Sequence, residues 1–225
     1  MNAMRKDFNM EGDMEEEEND EEENDDGDLE MANELGVQDA VEEIKQGAET
    51  LKNYCSSPIA NDQSEAIEAA ESLQSRAHLR DDYEGEQRNL IEKVYLNCEV
   101  VELTKQVRHL VSNEKSITQL MLDPRFAMYE VLLVMLLGLT DWSEKVCKAC
   151  VEAKIGETML EELATPEMKP GQKMPQKIEA LIIPRIALIW NILQKCPQVI
   201  SSIRDMNGVK ILKMFVKESK DRYDS

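Results

Sequence analysis

The chain has 225 residues, with 46 acidic side chains against 26 Lys and Arg, a formal net charge of −20 and 42% hydrophobic residues. That length admits one large or two small domains, and the longest apolar run, Val131 to Leu139, falls well short of the ~20 residues that a membrane-spanning helix needs. Five cysteines without even, loop-rich spacing (Cys55, Cys98, Cys147, Cys150, Cys196), and an N-terminus, MNAMRKDFNM, without an apolar core of signal-peptide length, argue against a disulfide-built secreted protein and for a reducing cytoplasmic or nuclear one.

Between Glu11 and Glu30, 14 of 20 residues are acidic and none is Lys or Arg. Such a stretch buries too little apolar surface to offset its chain entropy, so residues 1–36 are read as a disordered acidic tail. Beyond it Val37, Val41, Ile44, Ala48, Leu51 and Cys55 recur at steps of four and three, one face of a helix that Pro58 ends. Ile59, Gln63, Ala66, Ala70, Leu73 and Ala77 keep the same rhythm. Two or three heptads are marginal alone, so residues 37–80 are expected to form an antiparallel helical hairpin. The charged stretch Leu79 to Gln87, with Gly85, reads as a loop.

Helical spacing resumes at Leu90, Ile91, Val94, Cys98 and Val101 and runs on through Leu103 and Val107 to Val111. Ser112-Asn113 stops it, and Ile117, Leu120 and Met121 make a short apolar face. Asp123-Pro124 is an N-cap followed by proline at the first helical position. The helix this pair opens, Arg125 to Leu139, is apolar almost all round and so belongs at the centre of a stack. Asp141-Trp142-Ser143-Glu144 has the form of a capping box, with Asp141 as cap. The helix after it runs to about Ala153, and Lys154-Ile155-Gly156 turns into a short helix ending near Leu163. Thr165 to Lys177, with three prolines and a glycine, is loop. Pro184, inside the pattern Ile178 to Leu193, either kinks that helix or marks its start.

Shifting the chain by 53 positions lays Leu136–Leu163 over Ile189–Val216: Leu139 falls on Ile192, Val146 on Val199, Cys150 on Ile203, Met159 on Leu212 and Glu152 on Asp205. A repeat of helices at this period means a stacked solenoid; the Thr165–Lys177 insertion accounts for its length beyond the usual ~40–47 residues.

Trp190-Asn191-Ile192-Leu193, then Pro197-Gln198-Val199-Ile200, the turn Asp205-Met206-Asn207-Gly208-Val209 and Ile211-Leu212 together resemble an armadillo repeat. Leu139, Ser143 to Val146 and Glu152 to Ile155 resemble a second copy, and Ser112 to Arg125 the latter half of a third. The resemblance implies an all-α, armadillo-like solenoid of two to three repeats over residues 86–225. Its longest helices would line a concave surface for an extended peptide or a partner domain. Some armadillo proteins grip such a peptide with a ladder of Trp and Asn. Asn191 falls at the ladder Asn, but Ala187 stands four residues earlier where Trp would be, and the other copy offers Val134 and Gly138, a departure that argues against importin-like recognition of basic peptides.

Chemistry-bearing motifs are sparse. Cys147-Lys-Ala-Cys150 lies inside a helical pattern with no strand before it, and neither His78 nor His109 is spaced to complete a zinc site, so both thiols read as core. No nucleophile has an activating context and no glycine-rich phosphate loop exists; a non-enzymatic chain without cofactor or metal is expected. Trp190 reads as core and Trp142 as a partly exposed interface anchor. Lys210, Lys213, Lys217 and Lys220 form one stripe of the last helix; without arginine or aromatic support, on a chain of net charge −20, the stripe is a poor phosphate surface. The expected activity is that of a scaffold or adaptor binding another protein, with Asn191, Trp142, Lys210, Lys213 and Lys217 as candidate contacts. The open end of the array is a surface for a further copy of the chain. The alternatives are a regulatory or chaperone-like protein whose acidic leader engages basic clients such as histones, and a fragment of a longer array.

Overall fold

The computed structural model describes the backbone of residues 25–59, 61–78, 85–111, 116–168 and 176–223, and the side chains of 36–59, 61–78, 85–111, 116–167 and 177–215. The chain divides after Gly36 into two units. Most of the acidic leader lies outside the described residues, but α1 (Asp25–Ser56) begins within the segment expected to be tail.

Among the described residues all regular structure is helical. After α1 come α2 (Gln63–His78), α3 (Gly85–Asn97), α4 (Val100–Leu110), the single turn α5 (Ile117–Leu120) and α6 (Pro124–Trp142). They are followed by α7 (Glu144–Glu152), α8 (Ile155–Leu163), α9 (Gln176–Lys195), α10 (Ile200–Asp205) and α11 (Gly208–Tyr223), with 3-10 turns at Pro166–Met168 and Pro197–Val199. No helix is long and apolar enough to cross a membrane among the described residues.

The α1 stripe is buried at Val37, Ile44, Ala48 and Leu51, and Ala40 and Tyr54 join it. On α2 small residues (Ala66, Ala69, Ala70, Ala77) let the neighbouring backbones approach: Gly47 of α1 lies so near α2 that a Cβ there would be 3.2 Å from Leu73. Ile59, expected on that face, is instead fully exposed in the loop before α2. Helix α6 is central. It packs on α2, α4, α7 and α9, which is what an all-round apolar helix requires. Its cap is the expected one, Asp123 Oδ1 accepting from the Arg125 amide at 3.0 Å. The next cap is not. Helix α6 runs on to Trp142, so Ser143 caps α7, its hydroxyl accepting from the Val146 amide at 3.0 Å and donating to Glu92 at 2.6 Å. Glu144 faces solvent and pairs with Lys148.

The 53-residue shift holds for the boundaries themselves. Helix α7 spans Glu144–Glu152 as Pro197–Asp205 holds the 3-10 turn and α10, and α8 starts at Ile155 as α11 starts at Gly208. Between each pair one residue takes the left-handed conformation, Lys154 (φ 61°) and Asn207 (φ 58°). Glu99 (φ 55°) does the same between α3 and α4. The third copy is therefore α3–α4, not Ser112–Arg125, of which Ser112 to Lys115 lie outside the described residues and the rest forms α5 and the α6 cap. The three copies bury matching positions: Ile91, Val146 and Val199, then Tyr95, Cys150 and Ile203. Each pair follows one long helix, α2, α6 or α9, and these three pack in series, α2 on α6 and α6 on α9.

A buried ionic joint ties this arrangement together. Arg185 of α9 is fully buried; its Nε donates to Glu162 of α8 at 2.8 Å, and its Nη1 to Glu130 of α6 at 2.9 Å and to the Leu181 carbonyl at 2.8 Å. Glu162 also accepts from Arg108 Nε of α4 at 2.6 Å and from the Tyr129 hydroxyl at 3.3 Å. Arg108 lies over the Tyr129 ring, 5.7 Å from its centroid. Pro184, the residue before this arginine, sits inside α9, which continues through it from Gln176.

Candidate functional site

The long helices α2, α6 and α9 set the site. Near their C-terminal ends they enclose an open cavity of about 400 Å³ lined by Ala77, His78, Leu137, Gly138, Asp141, Ala187 and Asn191. Its floor is made of small residues because the helices approach closely: a Cβ on Gly138 would lie 3.1 Å from the His78 ring and 3.3 Å from the Ala77 carbonyl. His78, Gly138 and Asn191 form one row across the three helices. One turn earlier on each helix stand Gln74, Val134 and Ala187, all partly exposed. Helices α6 and α9 run parallel, Glu130 meeting Arg185 at one end and Thr140 meeting Asn191 at the other.

Asn191 donates from Nδ2 to Thr140 Oγ1 at 3.3 Å, so its amide is held across the α6–α9 seam. The Lys195 ammonium is bound to the Thr140 and Asp141 carbonyls at the C-terminus of α6, where the helix dipole favours a cation. Val134, Gly138 and Ala187 bring no hydrogen-bonding side chain. The cavity lining combines small and apolar residues (Ala77, Leu137, Gly138, Ala187) with three polar ones (His78, Asp141, Asn191).

Trp190 departs from its expected place in the core. Trp190 is 59% exposed on α9, whereas Trp142 is half-buried, packs against the core and has its Nε1 buried without a partner among the described residues. Sequence reasoning put Trp190 inside because it sits among apolar neighbours; Leu188 and Ile189, the two residues before it, are the ones that face inward. Lys210 and Lys213 are exposed on α11, well apart in sequence from the cavity-lining residues; the side chains of Lys217 and Lys220 lie outside the described residues. The structure brings Asn191 into the cavity but gathers neither Trp142 nor the lysines there. The residues missed from the sequence are His78, Leu137 and Asp141. Only the spatial neighbourhood of α2 and α6 reveals them, since His78 was read as lying outside the repeats.

Cys147 and Cys150 are fully buried on α7. Burial pushes the Cys147 thiol up to about 11 and raises Cys150 further, so neither is a thiolate near neutral pH. Among the described residues no group of His, Cys, Asp or Glu is placed to hold a metal ion.

Comparison of the chain with protein families, with curated proteins and with solved structures finds no match.

Proposed function

We propose that this protein is a non-enzymatic scaffold, an armadillo-like α-solenoid that holds another protein against the surface formed by α2, α6 and α9. The observation that carries this reading is the cavity open to solvent across three successive long helices, lined by small and apolar side chains together with His78, Asp141 and Asn191, with His78, Gly138 and Asn191 as one row. The recurrence of one left-handed residue before α4, α8 and α11 supports the solenoid, because it gives each copy the same helix-to-helix turn.

The test is affinity capture from cell extract with the full chain and with Val134→Arg, quantified by mass spectrometry. Val134 is partly exposed, so an arginine can extend to solvent while crossing the surface. Proteins held by the native chain should drop by roughly tenfold with the variant, as for loss of a central interface contact. An unchanged set of captured proteins from a variant with native helicity sinks the groove reading.

A further inference from the structure

The end of the array formed by α9, α10 and α11 exposes Ile183 (69%), Trp190 (59%), Ile200 (43%) and Val209 (44%). Moved back by 53 positions these become Glu130, Leu137, Cys147 and Gly156, and each of those meets α9. Glu130 receives Arg185; Leu137 lines the cavity with Ala187 and Asn191; Cys147 Sγ lies 3.8 Å from the Asn191 carbonyl; a Cβ on Gly156 would be 4.0 Å from Ile192. The four exposed apolar residues therefore surround the place that a long helix fills in the preceding copy. Scattered exposed apolar residues need no explanation, but four at the equivalent positions of one interface do.

We propose that this end is a berth for an amphipathic α-helix of a partner protein whose apolar side is edged by aspartate and glutamate. An extended strand does not suit it, because four apolar anchors leave a strand's N–H and C=O groups unpaired, whereas a helix satisfies its own. The occupant also differs from α9. The two carboxylates that pair with Arg185, Glu130 and Glu162, are replaced here by Ile183 and Phe215, so a central cation would be buried unpaired and the contact face must be wholly apolar. Two cations stand at the rim, Arg204 one turn from Ile200 and Lys213 one turn from Val209, both exposed, while Glu179 lies one turn before Ile183 on α9. Acidic edges on the incoming helix meet these two cations.

Two fluorescein-labelled peptides of about 18 residues, five helical turns, with the same leucine face, one edged with Glu and the other with Lys, test the proposal by anisotropy titration against the full chain. The Glu-edged peptide should bind at least roughly tenfold more tightly than the Lys-edged one. Ile183→Ser with Val209→Ser should weaken it by roughly tenfold or more, Arg204→Glu with Lys213→Glu should reverse the preference, and Val134→Arg should leave it unchanged. All four altered residues of the berth are exposed, and far-UV circular dichroism verifies each fold. Equal affinity for the two peptides, no binding of either, or indifference to the serine variants overturns the proposal. So does a dimer of the native chain, in sedimentation, that Ile183→Ser dissolves while neither peptide binds. Loss of lysate partners on Val134→Arg concerns the groove alone, so failure of one reading leaves the other standing.

Discussion

Replacing Arg185 by methionine removes a fully buried guanidinium and keeps most of its volume. Three acceptors lose one donor each: Glu162, Glu130 and the Leu181 carbonyl. Glu162 keeps Arg108 and the Tyr129 hydroxyl, but Glu130 loses its guanidinium partner with only 17% of its side chain exposed. Breaking a buried ion pair from one side costs about 3–5 kcal/mol, and the surviving Arg108 contact places the expectation near the lower end, about 3 kcal/mol at pH 7. The cost depends on pH with a definite sign. In the native chain burial already pushes the Glu130 carboxyl above its ordinary value, with the Arg185 hydrogen bond pulling the other way. Without Arg185 the main opposition to burial is gone and only the more distant Arg108 still pulls the other way, so the folded-state pKa of Glu130 rises further above the unfolded value. A group with that sign contributes stability present below the unfolded pKa and lost as pH rises through the folded one. The variant's deficit should therefore shrink as pH falls from 7 towards 5. Urea unfolding followed by circular dichroism at pH 7 and 5 measures it, and Arg185→Met with Glu130→Gln should recover part of the loss at pH 7. A deficit under ~1 kcal/mol at pH 7, or one that grows on acidification, refutes the reasoning.

Other expectations rest on separate features. Lys154 sits at φ 61°, so Lys154→Gly should be neutral to stabilising by about 0.5–1 kcal/mol while Lys154→Val destabilises by about 1–2 kcal/mol, both read as urea midpoints. Ser143→Ala removes the α7 cap and the hydroxyl that serves buried Glu92; a loss of about 1–3 kcal/mol is expected in the same assay. Gly208→Ala should cost about 1–3 kcal/mol, since its Cβ would lie 2.6 Å from the Ile203 carbonyl, and a lowered melting temperature checks it. Cys147 and Cys150 should resist a thiol reagent at pH 8 in the native protein and react on unfolding, because burial holds both thiols protonated.

Much of the helical framework could be read from periodicity, and the reason is visible in the residues. The α6 cap was legible because Asp123-Pro124 has few other uses, and the all-round apolar α6 could only be central. Repeat spacing was legible where both copies kept the same apolar positions, as Val146 and Val199 do. The α3–α4 break was not, because the turning residue is Glu99, a type that seldom takes positive φ and carries no sequence signal of a turn. With that break hidden, Ile91 to Val111 reads as one helix and the first copy disappears. The Asp141 cap failed for a different reason: two eligible caps, Asp141 and Ser143, stand two residues apart, and Glu92, 51 residues away, helps to fix which one is used. The cavity was the least legible part. Asn191 could be named from its repeat position, but His78 enters only because Gly138 lets α2 come close, a contact between residues 60 positions apart in a pair with no shared motif.

The ionic joint and the apolar end are different answers at equivalent positions, and the difference determines which helix can sit where. A helix without an arginine at the position of Arg185 would leave Glu130 and Glu162 without it on the α6–α8 surface, at the cost of an uncompensated buried charge. A helix with such an arginine would bury it against Ile183 and Phe215 on the α9–α11 surface, at a similar cost. Apolar packing alone would accept either helix in either place, since transfer of aliphatic side chains is not directional. The charges therefore supply discrimination that the leucines and isoleucines cannot, and they do so through repulsion of the wrong helix as much as attraction of the right one. Arg185 thus matches α9 to the α6–α8 surface, and the absence of the two carboxylates from the α9–α11 surface is what the proposed partner helix, of different composition, would have to match.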